Sequence, residues 1–221
     1  MNTISKFKEI RSQLPETVKI VAVSKTKPAA IIEELYTKTG HRSFGENKIQ
    51  ELEAKSKMLP QDIDWHFIGH LQTNKIKYIA PYIGMIQSVD SFRLLIEINK
   101  EAKKCNRVIP CLMQFYIASE ETKYGFTMDE ANRMLDDNLF LQLSNVVIKG
   151  VMGMATFTEN NHIIRKEFET LYTSYNSLKS RYFMHQPDFC EISMGMTNDY
   201  QIAVEEGSTI VRIGSGIFGE R

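Results

Sequence analysis

The stretch VKIVAVSKTKPAAIIEELYTKTG, residues 18–40, contains one complete repeat of the fold that this chain predicts. It begins with a run of apolar, largely β-branched residues, which is typical of a buried strand. A short loop follows, and then an amphipathic segment with Pro28 at its start and Gly40 at its end, an arrangement that favours a helix between them. A strand followed by a covering helix is the building unit of a parallel α/β sheet.

The same unit recurs along the chain. Strands are predicted near Lys19–Ser24, Arg42–Gly45, Asp64–Gly69, Met85–Val89, Arg107–Ile117, Val146–Met154, Phe189–Ser193 and Thr209–Ile213. A helical pattern follows each strand except the last, and residues 2–14 predict an extra N-terminal helix. Because eight such units close naturally into a barrel, we expect a single (β/α)8 TIM barrel domain over residues 1–221. A doubly wound open sheet is the alternative, since a sequence does not show whether the first and last strands pair.

Several helix boundaries carry their own signals. Asp90 and Ser91 can cap the helix that follows the fourth strand. Residues 164–182 carry apolar side chains at spacings of three and four, which predicts a long helix with one buried face. Gly207 is placed to end a helix that begins near Thr197.

Composition argues against several classes of function. Lys plus Arg and Asp plus Glu both total 27, so the net charge is zero and no basic run offers a surface for nucleic acid or anionic membrane. The chain has no apolar run as long as a membrane span and no signal-peptide core. Cys105, Cys111 and Cys190 lack CxxC spacing, so we expect free thiols packed as small hydrophobes in a reducing compartment. These features predict a cytoplasmic protein.

Metal and serine-hydrolase chemistry receive little support. His66 and His70 have the spacing of helical zinc ligands, but they bracket a predicted strand, where they would lie roughly 13 Å apart. The serines near the strand ends do not stand in a GxSxG motif. We therefore predict no metal site.

Lys25 follows the first strand on the same face as Val21 and Val23, because residues two apart in a strand share a face. An inward-facing lysine at the carboxyl end of a barrel strand lies in the mouth, where such folds place their sites. A desolvated primary amine there is a nucleophile for an aldehyde. The alternative is an ordinary surface lysine, which is how we interpret Lys27.

The last strand leads into Gly214-Ser215-Gly216, and the strand before it leads into residues 193–197. Glycine-rich turns after strands seven and eight are the usual phosphate site of this barrel. Together with a reactive lysine, they suggest a phosphorylated aldehyde cofactor, namely pyridoxal 5'-phosphate. Asp199 would repel a phosphate if it faced inward, so we expect it outside the site, complementing the helix dipole.

Arg212 lies two residues before Gly214 and on the same strand face, so it could reach the ring of a cofactor whose phosphate binds above it. The alternative is a structural partner for a carboxylate in the barrel. A permanent cation against the pyridine nitrogen would keep that nitrogen unprotonated and weaken the ring as an electron sink. Carbanion chemistry would then be poorly supported.

Taken together, eight motifs in order make the chain resemble the pyridoxal phosphate homeostasis proteins, single-domain relatives of the alanine racemase N-terminal barrel. The motifs are AVSKTKP at 22–28, FGEN at 44–47, HFIGHLQTNK at 66–75, QSVDS at 87–91, KYGF at 123–126, KGVMGM at 149–154, SMGMTND at 193–199 and GSTIVRIGSGIFG at 207–219. Two departures are small: Gln87 stands where a histidine is common, and Thr197 replaces a frequent serine.

The resemblance implies a role for each candidate residue. Lys25 would form the internal aldimine with the cofactor, and Arg212 would face the pyridine nitrogen. Asn47 would lie beside the cofactor, and Met154 would line the ring. The phosphate would be held by Ser193, Met194, Gly214 and Ser215. Lys123, in the KYGF motif, is a secondary contact outside this set.

The resemblance also implies a function. We expect a monomeric, non-catalytic carrier that buffers pyridoxal 5'-phosphate and takes part in vitamin B6 balance. Its expected partners are pyridoxal 5'-phosphate and other B6 vitamers, together with apo forms of cofactor-dependent enzymes that receive the cofactor. Racemases of this fold carry a second, β-rich domain with a catalytic tyrosine, and we expect this chain to lack such a domain. A weak amino-acid racemase is the alternative, and a barrel acting only through protein contacts is a third reading.

Overall fold

A computed structural model describes residues 2–118 and 124–220 of the chain. Its strands are all parallel and form a closed barrel in the order β1 to β8, with β1 hydrogen-bonded to β8. The TIM barrel prediction is confirmed, and the open sheet is ruled out, because the first and last strands pair over Lys19–Ala22 and Ile210–Ile213.

The strands begin close to the predicted positions but are mostly shorter. They are β1 Lys19–Val23, β2 Ser43–Glu46, β3 Asp64–Phe67, β4 Met85–Val89, β5 Ile109–Gln114, β6 Val146–Met152, β7 Glu191–Ser193 and β8 Ile210–Ile213. The apolar runs extend beyond the ladders because the loops that leave the barrel are also buried, as Phe115 and Ala155 show.

The helices surround the barrel. They are α1 Thr3–Ser12, α2 Ala29–Thr39, α3 Ile49–Met58, α4 Phe92–Lys104, α5 Met128–Leu135, α6 Asn161–Tyr182, α7 Tyr200–Glu205 and α8 Ser215–Phe218, with 3-10 segments at Thr73–Tyr78 and Phe140–Gln142. The extra N-terminal helix is confirmed, and it packs against α8.

Two helix predictions were wrong. β3 is followed by a 3-10 segment instead of an α-helix, and Pro81 stands just beyond it, where proline cannot continue a helix. The last strand is followed by α8, a single turn that was too short to give a periodic pattern.

The predicted capping signals are largely confirmed. Gly40 ends α2 with φ +74°, a left-handed conformation that suits glycine, and Pro28 is the N-cap of the same helix. The Ser91 hydroxyl accepts a hydrogen bond from the Leu94 N–H at the start of α4. α7 begins at Tyr200, later than predicted, because residues 196–199 form a turn of their own.

Two apolar layers fill the molecule. The larger lies between barrel and helices and includes the buried stripe of α6, which runs through Ile164, Phe168, Leu171 and Leu178. The smaller lies inside the barrel and consists of Val21, Leu112, Met152 and Ile210, with Met85 packed against them. The barrel interior is therefore filled, and its open space lies at a mouth.

Cys111 is buried as predicted, whereas Cys190 is exposed, so the expectation that all three cysteines pack as small hydrophobes was wrong for Cys190. Burial raises the pKa of the Cys111 thiol, which makes it a poor nucleophile. Within residues 2–118 and 124–220, none of the helices combines the length and apolar character needed to cross a membrane.

Candidate functional site

A cavity of about 1040 Å3 opens at the carboxyl ends of the strands. The loops after β1, β2, β6, β7 and β8 line it, which is the end of the barrel where this fold places its sites. The cavity brings together most of the predicted site residues: Lys25, Asn47, Met154, Arg212, Gly214 and Ser215.

Lys25 lies two residues beyond β1, and its backbone is fixed on both sides. On one side, the Ser24 N–H donates to the Gly45 carbonyl at 3.0 Å. On the other, the Thr26 N–H donates to a carboxylate oxygen of Glu51. Thr26 has φ +65°, a left-handed conformation that is uncommon for a β-branched residue. Such strain persists only where the surroundings over-determine the backbone.

A charged cluster, buried except for Glu51, supplies those surroundings. Lys55 Nζ donates to Glu46 Oε1 at 2.6 Å, to Glu51 Oε1 at 2.8 Å and to the Ser24 carbonyl at 2.8 Å. The Ser24 hydroxyl also donates to Glu46 Oε1, at 2.6 Å. We call Ser24, Glu46, Glu51 and Lys55 the β1 clamp. Sequence reasoning missed it, although Glu51 and Lys55 have ion-pair spacing on α3.

Glu46 is the most deeply buried charged side chain of the β1 clamp. Its side chain is fully buried, and this burial raises its pKa, while hydrogen bonds from Lys55 and Ser24 act in the opposite direction. Its second oxygen, Oε2, is buried without a hydrogen-bond partner among the described residues. The clamp therefore depends on Lys55, since a buried carboxylate without its cation is strongly destabilising.

Arg212 projects from β8 into the barrel interior below the mouth. It is 3% exposed, and its guanidinium donates to Ser193 Oγ at 2.7 Å and to the Gly153 carbonyl at 2.9 Å. Burial lowers the pKa of Arg212 to about 10, and the Asp199 carboxylate acts in the opposite direction. The side chain therefore stays cationic at neutral pH, and its hydrogen-bond partners within the described ranges are neutral groups.

The structure places Ser193 and Met194 beneath the cavity and not along its wall. The Ser193 hydroxyl is buried between Arg212 and Gln87, to which it donates at 2.7 Å, and the Met194 N–H donates to the Ile210 carbonyl. β7 ends at Ser193, whose side chain points into the barrel. Their predicted contact with the phosphate stays a prediction, and their polar groups already have partners.

Thr197 reaches the cavity wall instead. Its hydroxyl oxygen lies 3.1 Å from the Gly216 N–H and 3.2 Å from Ser215 Oγ, so it joins the turn after β7 to the turn after β8. The residue lay within the predicted turn but was not chosen as a candidate. The sequence did offer a signal for it, because Thr197 is the hydroxyl-bearing residue that ends the glycine-containing SMGMT turn, residues 193–197.

Asp199 was expected outside the site, and this was wrong. The residue is 8% exposed, lines the cavity and accepts a hydrogen bond from the Met196 N–H. Burial raises the pKa of Asp199, while the Met196 hydrogen bond and the charge of Arg212 lower it. The carboxyl lies inside because residues 196–199 fold into a turn before α7 begins.

Asn47 and Met154 line different parts of the cavity. Asn47 Oδ1 is buried, and no described group of the protein donates a hydrogen bond to it. Such an orphaned acceptor fits a bound molecule that carries a donor. Met154 is 41% exposed at the rim. Lys123, considered as a secondary contact, lies outside the described residues.

The histidines have separate partners. His66 lies in β3 and bonds to Asp64 and Gln87, whereas His70 lies 3.3 Å from Asp90 and against the Tyr124 ring. Across residues 2–118 and 124–220, there is no cluster of three or more His, Cys, Asp or Glu side chains that could hold a metal ion.

Comparison with known proteins identifies the family. Residues 3–221 match the model of the family described as alanine racemase, N-terminal domain. A pyridoxal phosphate homeostasis protein of Aquifex aeolicus is 39% identical over 204 residues, covering 92% of this chain and 87% of that protein. The chain belongs to this family. The human protein of the same name is 36% identical over 214 residues, covering 92% of this chain and 76% of its own length.

Solved structures agree with the fold of this family member. PipY from Synechococcus elongatus, solved without PLP, superimposes with a TM-score of 0.91 at 33% identity, and its PLP-bound structure with 0.87. Both comparisons cover 99% of this chain and 100% of PipY. An alanine racemase from Bartonella henselae shares the fold at 14% identity, with a TM-score of 0.70 over 60% of its chain. The recognised family and the alanine racemase type of barrel are thus confirmed.

Proposed function

We propose that this protein binds pyridoxal 5'-phosphate in the mouth cavity through Lys25 and serves to carry and buffer it. The observation that carries the proposal is that a lysine amine, a buried cation and two polar turns line one cavity at the carboxyl end of the barrel. A relative of the same family, PipY, has been solved with PLP bound.

The residues of the cavity fit the functional groups of this cofactor. Lys25 offers an amine to the aldehyde, and Arg212 offers a cation to the ring nitrogen. The orphaned Asn47 oxygen accepts from a ring substituent, while Thr197, Gly214 and Ser215 face the phosphate. When bound, the cofactor supplies an aldehyde that condenses reversibly with an amine and releases water. Reversible capture limits free aldehyde, which is the chemical basis of buffering.

The same residues give poor support for catalysis, so we propose a carrier and not an enzyme. Arg212 stays charged and holds a ring nitrogen unprotonated, which weakens electron withdrawal by the ring. Racemisation also needs an acid and a base on opposite faces of the substrate carbon. Among the described residues that line the cavity there is neither a tyrosine nor a histidine. Of the carboxylates that line it, Asp199 already accepts a hydrogen bond from the Met196 N–H, and Glu159 and Glu220 are exposed to solvent.

The absorbance spectrum during titration with pyridoxal 5'-phosphate tests binding. We expect the wild-type protein to develop a band that free cofactor lacks, and Lys25→Ala to lose it. Lys27→Ala is the matched control, because Lys27 lines the same cavity but its amine donates to the Glu220 carbonyl. A band that survives in Lys25→Ala, or one that disappears in both variants, contradicts the proposal.

Delivery and catalysis need separate measurements. We propose that the protein is a cytoplasmic monomer that binds pyridoxal 5'-phosphate and other B6 vitamers and transfers the cofactor to apo forms of cofactor-dependent enzymes. Holo-protein should reactivate an apo-enzyme in the presence of a trap for free cofactor, and equal reactivation by free cofactor alone would count against delivery. Loss of an α-deuterium label from several amino acids at useful rates would favour the racemase alternative.

A further inference from the structure

A continuous chain of hydrogen bonds crosses the barrel below the cavity. Arg212 Nη1 lies 2.7 Å from Ser193 Oγ, which lies 2.7 Å from Gln87 Oε1. Gln87 Nε2 lies 2.7 Å from His66 Nδ1, and His66 Nε2 lies 2.8 Å from Asp64 Oδ2. We call these five residues the barrel chain. It runs from the cavity to the amino-terminal mouth, where β3 begins.

The two ends of the barrel chain fix its direction independently. A guanidinium only donates hydrogen bonds, so Ser193 Oγ accepts from Arg212 and its own proton goes to the Gln87 carbonyl oxygen. At the other end an ionised carboxylate only accepts, so the proton between His66 and Asp64 belongs to His66 Nε2. The Gln87 amide then donates to His66 Nδ1, and every link points from the cation towards the carboxylate.

Because the interior members of the barrel chain are buried, water cannot compete for their hydrogen bonds and reverse the direction of donation. Ser193 and Gln87 are fully buried, and His66 is 4% exposed. Only Asp64, with 47% of its side chain exposed, reaches solvent. Within the part of the chain that the structure describes, the side chains of Ser193, Gln87 and His66 bond only to their neighbours in the barrel chain, so a wrong orientation would leave a buried donor or acceptor unpaired.

We propose that Ser193, Gln87 and His66 are positioning residues for Arg212, and that the Gln87 amide holds His66 as the neutral tautomer with its proton on Nε2. The barrel chain needs no cofactor. Only its effect on a bound ring rests on the proposed function.

This arrangement couples the protonation state of His66 to the position of Arg212 at the other end of the barrel chain. A proton added to His66 Nδ1 would face the Gln87 amide nitrogen, so the amide would have to turn over. The amide would then donate to Ser193, which would receive two donors and lose the acceptor for its own proton. Protonation of His66 therefore disturbs the contact that holds Arg212, 2.7 Å from Ser193. Among the described residues, the charged or titratable groups placed near this end besides Asp64 are His41 and Lys19, and Lys19 forms an ion pair with Glu191.

The first experiment uses the cofactor-free protein and nitrogen-15 NMR of the His66 ring. In the wild type we expect a bare Nδ1 and a protonated Nε2. In Gln87→Glu the new carboxylate only accepts, so His66 should carry protons on both nitrogens at neutral pH. Gln114→Glu, at another buried glutamine of the barrel, should leave the His66 spectrum unchanged.

A wild-type ring protonated on Nδ1, or a Gln87→Glu protein with a bare Nδ1, would overturn the proposal. If Gln87→Glu does not fold, Gln87→Met decides the matter. It removes the amide donor to Nδ1 without adding charge, while Asp64 still holds the proton on Nε2. The Nδ1 nitrogen-15 signal should therefore shift as that nitrogen loses its hydrogen bond, and an unchanged Nδ1 signal contradicts the inference.

The second experiment measures affinity for pyridoxal 5'-phosphate and the position of the bound absorbance band. Ser193→Ala should weaken binding about tenfold, which corresponds to about 1.4 kcal/mol, and shift the band. Ser208→Ala is the matched control, since Ser208 is also buried but bonds only to backbone carbonyls. Equal behaviour of the two variants would overturn the positioning role. A wild type that binds no cofactor would refute the proposed function, while the NMR result would still decide the barrel chain.

Discussion

The two sides of the mouth hold their cations in opposite ways. Around Lys25, the β1 clamp fixes the backbone through buried charges, and within the described residues the Lys25 amine itself makes no hydrogen bond. Around Arg212, neutral groups hold the charged head directly, at 2.7 Å and 2.9 Å. The Lys25 amine, which must form and break a bond, is left free on a rigid backbone. The Arg212 guanidinium, which must stay charged and fixed in place, is itself held by hydrogen bonds.

This difference has an energetic consequence. The β1 clamp places Glu46 and Lys55 in the interior, with 0% and 7% of their side chains exposed. Breaking a buried pair by removing one partner leaves an uncompensated charge, whereas losing a neutral hydrogen bond costs much less. Damage to the β1 side should therefore appear first in stability, and damage to the β8 side first in cofactor binding.

The largest effect is expected for Lys55→Met. It should lower the free energy of unfolding by about 3–5 kcal/mol, because Glu46 would keep a buried charge without its cation. Lys57→Met, on the same helix, removes an exposed ion pair with Glu53 and should cost less than about 0.5 kcal/mol. Chemical denaturation of both variants measures the difference, and equal losses would mean that the β1 clamp does not act through buried charge.

The loss in Lys55→Met should also depend on pH. Burial raises the pKa of Glu46, and without Lys55 the main opposing interaction is gone. The folded variant would then bind a proton at a pH where the unfolded chain does not, so acidification favours the folded state. The difference in the free energy of unfolding between Lys55→Met and Lys57→Met should therefore shrink as the pH falls from neutral towards 5. A deficit that is constant or grows over this range would contradict the assignment.

An intermediate effect is expected for Thr197→Val, on the β8 side. The variant loses the hydroxyl that bridges Gly216 and Ser215, so its affinity for pyridoxal 5'-phosphate should fall about fivefold, the equivalent of roughly one hydrogen bond. Affinity for pyridoxal, which lacks the phosphate, should hardly change. Thr170→Val, an exposed position on α6, is the control. An equal loss for both vitamers would remove Thr197 from the phosphate site.

The smallest effect concerns the strained backbone beside Lys25. Thr26→Gly should raise the free energy of unfolding by about 0.5–1 kcal/mol, because glycine adopts a positive φ without strain but loses more entropy on folding. Asn106→Gly, at the other positive-φ residue that is not glycine among those described, should be nearly neutral, since asparagine tolerates this conformation. Destabilisation by Thr26→Gly would show that Thr26 is unstrained.

The sequence predicted those parts of the site that depend on strand position. Lys25, Arg212 and Gly214 follow from the two-residue period of a strand and from the place of a strand end in a barrel. The β1 clamp could not be predicted in this way, because Glu46 and Lys55 meet only where α3 packs against β2 in the folded protein. The direction of Ser193 and the inward turn of Asp199 depend on where β7 ends and α7 begins, and the apolar pattern does not mark either point sharply.

The most direct test of the central claim is to treat the cofactor-loaded protein with borohydride and map the modified peptide by mass spectrometry. Reduction makes the link between an amine and the cofactor aldehyde permanent, so the added mass identifies the lysine. We predict that the mass lies on Lys25, and that Lys25→Ala carries none while Lys27→Ala is labelled like the wild type. A label on another lysine, or equal labelling in Lys25→Ala, would contradict the account.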